Sequence, residues 1–212
     1  MRQIFAALFA TALSMVAAGT NAAPLEAYGR LPTIEQVAIS PDGQYLAIAA
    51  TTNGEQRTLL VQRIADHQTL MGVRVGETKL RDVQWAGSNH VLITVSVHAK
   101  LETASDEIMG GGMEHLGVID FNVATRKQTV LLTNVPHALN VVYGTPEVRV
   151  VDGKPYALLT GEIFPDDGGT GEMGMFRADL DRGVTSVLDR GFPRATGWVA
   201  DARGHAPGPD HL

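Results

Sequence analysis

Between residues 37 and 50 the chain reads VAISPDGQYLAIAA, and its larger apolar residues fall on alternate positions: Val37 and Ile39, then Leu46 and Ile48. A period of two marks strands that bury one face. The turn sequence Ser40-Pro41-Asp42-Gly43 stands between the two runs. Pro41 presets φ at the second turn position, Ser40 offers its hydroxyl to the backbone from the first, and Gly43 relieves a left-handed exit. The stretch is predicted to be a tight β-hairpin. A third strand is predicted at RTLLVQRI, after Thr51-Thr52-Asn53-Gly54, and a fourth at QTLMGVRV, after Ala65-Asp66-His67.

The same unit returns twice. In LRDVQWAGSNHVLITVSV, Val83 and Trp85 precede a turn at Ala86-Gly87-Ser88-Asn89, and Val91, Ile93 and Val95 carry the next strand; residues 115–121 and 127–132 supply its outer strands. PEVRVVDGKPYALLTGEIF turns at Asp152-Gly153 and is followed by GMFRADL and VTSVLDR, and a fourth copy begins at TGWVADARGH. The turns at Asp42, Gly87, Asp152 and Asp201 lie 45, 65 and 49 residues apart. Four-stranded units of about 40 to 50 residues are what a β-propeller blade requires. A β-sandwich or plain meander also shows short strands with Gly, Asn and Asp turns; repetition of one turn-centred unit favours blades. The expected fold is therefore all-β: a partial β-propeller of four-stranded antiparallel blades, three and the start of a fourth, over 23–204. Propellers close into rings of typically about four to eight blades. The final DARGHAPGPDHL breaks the alternation, so 205–212 reads as an irregular tail and the chain as one cut short by a frameshift or a split gene. The last formed blade is then expected to present an unpaired edge and an apolar face, and so to aggregate or bind a partner chain.

The first residues change the compartment. Arg2, an apolar run from Ile4 to about Ala18 and small residues at Thr20, Ala22 and Ala23 read as a secretory signal peptide over 1–22, cleaved after Ala22. The run is shorter than the roughly 20 residues of a spanning helix, so no stable membrane anchor is expected. The mature chain would keep 190 of the 212 residues, with 16 basic against 23 acidic side chains and a formal charge of −7. That balance, without clustered basic residues, argues against nucleic acid as a partner. There is no cysteine, so export brings no disulfide framework. A periplasmic or secreted location fits.

Candidate chemistry is sparse. The serines after residue 22 are Ser40, Ser88, Ser96, Ser105 and Ser186, and none stands in the G-x-S-x-G context of an α/β-hydrolase nucleophile. The histidines, at 67, 90, 98, 115, 137, 205 and 211, are scattered without H-E-x-x-H spacing. Asp106-Glu107, Asp166-Asp167 and Asp179 with Asp181 are acidic pairs in predicted loops; carboxylate pairs alone are weak evidence for acid–base work. The Gly-rich segments 109–113 and 166–171 lack the Gly-Lys-Ser/Thr that holds phosphate and read as long loops. No catalytic, cofactor-binding or metal-binding residue is assigned, and no cofactor is expected.

PLEAYGRLPTIEQVAISPDGQYLAIA at 24–49, RDVQWAGSNHVLI at 81–93 and TGWVADARG at 196–204 together resemble the N-terminal region of exported bacterial serine peptidases of the prolyl oligopeptidase family. The most specific parts are Tyr28-Gly29-Arg30-Leu31-Pro32 leading into Ser40-Pro41-Asp42-Gly43, and Trp85 before its turn. The resemblance implies an N-terminal propeller that gates a C-terminal α/β-hydrolase domain cutting short peptides. No residue of the family's triad has a counterpart here. The expected function is thus the substrate-gating propeller portion of such a peptidase, inactive alone, with a separately encoded hydrolase domain or a peptide substrate as partner. The alternative is a periplasmic binding module resembling the propeller of the Tol–Pal envelope system. A free-standing enzyme using propeller loops lacks an identified constellation.

Overall fold

The computed structural model describes residues 29, 32–52, 56–76, 78–99, 113–167, 169–191, 200–201 and 203–204. The chain divides into two compact units, Met1–Leu31 and Pro32–Leu212. The signal segment, the Gly-rich stretch 109–112, the start of the fourth copy at 196–199 and the tail 205–212 lie outside the described residues. The described residues form strands and turns only.

Three antiparallel four-stranded blades follow one another. The first is β1 (Ile34–Ile39), β2 (Tyr45–Thr52), β3 (Gln56–Arg63) and β4 (Thr69–Gly76), paired in that order. The second is β5 (Lys79–Ala86), β6 (His90–Ala99), β7 (Met113–Asn122) and β8 (Lys127–Val130). A short strand, β9 (Ala138–Val142), precedes the third, which is β10 (Glu147–Val151), β11 (Lys154–Ile163), β12 (Glu172–Asp179) and β13 (Val184–Asp189). This is a partial β-propeller, with the blades at the places the turn-centred repeat predicts.

Turn chemistry sets the registers. Gly43 N–H bonds Ser40 O at 2.9 Å with φ at 70°, while Ser40 Oγ accepts from Gln44 N at 3.2 Å and Tyr45 N at 2.9 Å and donates to Asp42 Oδ1 at 2.6 Å. Side chain and backbone thus close the same loop, which pairs Ile39 with Leu46. At the third blade Asp152 and Gly153 both have positive φ, 50° and 76°, as a two-residue type I′ hairpin demands. The Asp201 turn is also formed, with Gly204 N–H on Asp201 O at 2.9 Å.

Alternation then assigns the two faces of each sheet. Residues paired directly across strands share a face, so Ala38, Ala47, Val61 and Met71 form one row of the first blade and Val37, Ile48, Leu60 and Gly72 form the opposite one. The first row packs on the second blade, where Trp85, Val91, Ile93 and Phe121 join Ala47, Leu59 and Val61 in one buried cluster. The second blade's other face carries Leu92 and Val118, which share a second buried cluster with Leu159, Phe176 and Ala178 of the third blade. Each core is therefore a seam between neighbouring blades. Polar bonds cross the first seam too: Trp85 Nε1–H donates to Ala38 O at 3.0 Å, and Gln36 Nε2–H to Asp82 Oδ1 at 3.0 Å.

Two features depart from the sequence-based expectation. The outer strand expected over 127–132 ends at Val130; Leu131 and Leu132 leave it and turn inward, Leu132 taking a φ of 69°. Both are buried in the second seam with Val135 and Val142, and packing holds a backbone conformation that a leucine rarely adopts. The second is β9, which had no counterpart in the repeat. It pairs with β11 at Val142 and Gly161 and with β7 at Leu116 and Val142, so the strands of the second and third blades form one nine-stranded sheet through it. Its approach requires a glycine. A Cβ at Gly161 would stand 2.8 Å from Val141 O and 3.1 Å from Leu132 Cδ1.

Candidate functional site

The second seam holds the densest buried chemistry. His90 opens β6 on the face that also carries Leu92, and Asp120 and Asn122 lie on the same face of β7, since His90 pairs with Asn122 and Leu92 with Asp120. The His90 ring is 0% exposed. Its Nδ1 lies 3.0 Å from both oxygens of Asp120. Its Nε2 lies 3.1 Å from Oδ1 of Asp181, which comes from the β12–β13 turn of the third blade, and 3.2 Å from Asn122 Nδ2. An imidazole thus sits between two carboxylates from two blades.

Burial is the largest single influence on His90 and pulls its proton affinity down, but the hydrogen bonds and charges of Asp120, and after it Asp181, together outweigh it; the net value is above that of an ordinary histidine. Burial raises Asp120 above its ordinary value, and the His90 bond and charge only partly oppose this. The arrangement can hold a proton and tie two blades together. Among the described residues the polar groups bonded to His90 are Asp120, Asp181 and Asn122, with no hydroxyl in reach as a nucleophile.

A second, exposed cluster joins strands within the second blade. Lys79 Nζ and Ser96 Oγ each donate to Glu114 Oε1 at 3.0 Å, Arg81 also donates to Glu114, and Arg81 Nε–H donates to Ser96 Oγ at 2.8 Å. The hydrogen bonds from Lys79, Ser96 and Arg81 hold the Glu114 carboxyl down at about 2. These charges face solvent and answer one another.

The residues singled out in the sequence are mostly dispersed. Ser40 and Ser88 stand in turns. Ser96 belongs to the Glu114 cluster and Ser186 Oγ donates to Arg177 O at 3.4 Å; Ser105 and the Asp106-Glu107 pair lie outside the described residues. His67 takes a positive φ in a turn, and His137 stands 3.7 Å from Asp166. His115 Nε2 is buried in β7 without a hydrogen-bond partner. Asp179 accepts from Arg182 N–H at 3.0 Å, closing the turn that presents Asp181. Of the acidic pairs and histidines, the fold brings together His137 and Asp166 at the surface and His90 and Asp181 in the second seam, and at His90 adds Asp120, which sequence reading passed over. The signal was available: Asp120 stands at a core-facing position of GVIDF, where alternation calls for an apolar side chain. Among the described residues no group of three His, Asp or Glu is placed to hold a metal ion.

No protein-family model matches the chain, and no curated protein matches it. Among solved structures, TolB from Acinetobacter baumannii is 16% identical, with 81% of this chain and 36% of TolB covered at a TM-score of 0.42. Hydrazine Synthase from Kuenenia stuttgartiensis is 16% identical, with 72% and 57% covered at a TM-score of 0.38. The chain spans less than two thirds of either. The blade assignment rests on the strand order and facing rows of this chain itself.

Proposed function

We propose that the chain works by contact with another polypeptide, as the substrate-gating propeller portion of an exported serine peptidase of the prolyl oligopeptidase type whose hydrolase domain lies outside these residues. The observation that carries the contact reading is the exposed apolar side chains on one face of the first blade. Val37 and Ile39 are 48% and 63% exposed, and they stand in rows with Ile48, Leu60 and Leu46. The same rows on the second blade are buried by a neighbour. On the third blade the face away from the seam is already closed at Leu158 and Met175, 3% and 4% exposed, where Gly204 approaches Leu158. Large apolar side chains are thus exposed on the first blade, and on the last at Val150 and Val184, 55% and 50% exposed. The fitting occupant of the first blade's face is another sheet of the same architecture, belonging to the complete peptidase. The resemblance at 24–49 and 81–93 supports the choice of family.

The test is a peptidase assay on residues 23–212 with short chromogenic dipeptide and acyl-aminoacyl substrates, alone and with the polypeptide encoded immediately downstream. We expect activity only with both pieces, and its loss when Val37→Asp and Ile39→Asp are combined, because charges on that face oppose docking. Activity of this chain alone would contradict the gating reading. Binding to an envelope protein without any peptidase activity would favour the Tol–Pal-like alternative.

A further inference from the structure

We propose that His90 is a proton-operated latch between the second and third blades, engaging Asp181 when Nε2 carries a proton and Asn122 when it does not. The geometry at Nε2 forces the alternative. Asp181 Oδ1, 3.1 Å away, accepts only from a protonated nitrogen, whereas Asn122 Nδ2–H, 3.2 Å away, donates only to a bare one. The Asn122 amide cannot satisfy both by turning over, because its Oδ1 already accepts from Thr125 N–H at 2.8 Å. Nδ1–H stays on Asp120 in either state.

The proton has a route. His90 is sealed from solvent, but the Asp181 side chain is 49% exposed, so the proton comes from water past that carboxylate. Among the described residues the charged groups facing the ring are Asp120 from β7 and Asp181 from the β12–β13 turn, both acidic. With the proton on, the imidazolium bonds both carboxylates and the third blade's turn is held to the second blade by a charge-assisted bond. With it off, a bare Nε2 faces the Asp181 carboxylate at hydrogen-bond distance, the Asn122 bond replaces it, and the turn is released. A histidine that binds its proton more tightly when folded stabilises the fold fully below its unfolded value of about 6.5, and the contribution is lost as pH rises through the folded value. Asp120, also raised, acts in the same sense from about 3.9 upward.

The experiment is an NMR titration of the His90 ring nitrogens in the full chain between about pH 5 and 9, with amide hydrogen exchange of residues 181–184 corrected for intrinsic rate. We expect His90 to titrate above 6.5 and protection of those amides to fall about tenfold across the same midpoint. Asp181→Asn, an exposed and isosteric change, is expected to lower the His90 midpoint and abolish the pH dependence of protection, with the far-UV spectrum unchanged. Protection independent of pH in the parent, or the same pH dependence in Asp181→Asn, would overturn the latch.

Discussion

Phe176→Ala is expected to lower the unfolding free energy by about 3 to 5 kcal/mol, with the urea midpoint falling accordingly. Phe176 is among the largest fully buried side chains and faces the second blade from β12. Two glycines shape its place: Phe176 Cε2 lies 3.2 Å from where a Cβ of Gly161 would stand and 3.5 Å from that of Gly174. A notch walled by residues without side chains cannot refill itself when the ring is removed. The cavity therefore persists, and the upper part of the range applies. Phe176→Leu, which keeps most of the volume, is expected to cost less than half as much. Equal, small losses for both would mean that the ring does not fill a shared core between blades.

Arg57→Ala is expected to cost about 3 kcal/mol, for a different reason. Arg57 stands on the buried face of β3 beside Leu59 and Val61. Its Nε–H reaches both oxygens of Glu35 at 2.8 and 3.0 Å, and its Nη1–H donates to Thr78 O at 2.7 Å, so one guanidinium ties β1 to the connection between the first two blades. Removing it leaves the mostly buried Glu35 carboxylate without a counter-charge and an orphaned carbonyl, and uncompensated burial is what makes such losses large. Replacing the pair together, Glu35→Leu with Arg57→Met, is expected to recover most of the loss. Thermal melts of Glu35→Leu, Arg57→Met and the double, read as a cycle, separate the pair's coupling from the burial of each partner. Additive losses would contradict the account of a coupled pair.

Much of the fold is legible in the sequence because each hairpin carries its own instructions. In VAISPDGQYLAIAA the strand period, the proline and the glycine all agree, and the strands at 34–39 and 45–52 follow. β9 is not legible in this way. HALNVV lacks a partner across a short turn, and it is a strand because Gly161 and Leu116, far away in sequence, accept it. Nor does local pattern stop β8 at Val130; Leu131 and Leu132 turn inward because the second seam has room for them. The His90 network is half legible. Alternation places His90 and Asp120 on one face of the second blade, but Asp181 belongs to the next, and only the stacking of blades brings it within 3.1 Å.

The His90 network and both buried seams require that stacking of blades, and a NOESY spectrum reads it out. The chain has two tryptophans, so Trp198→Phe assigns the indole signal of Trp85. Cross-peaks are expected from the Trp85 indole N–H to protons of Ala38, whose carbonyl it bonds at 3.0 Å, and from the indole ring to that of Tyr45, 6.3 Å away between centroids. Cross-peaks from Trp85 to β10–β13 instead of β1 and β2 would contradict that stacking, for the sheets would then face each other as a sandwich.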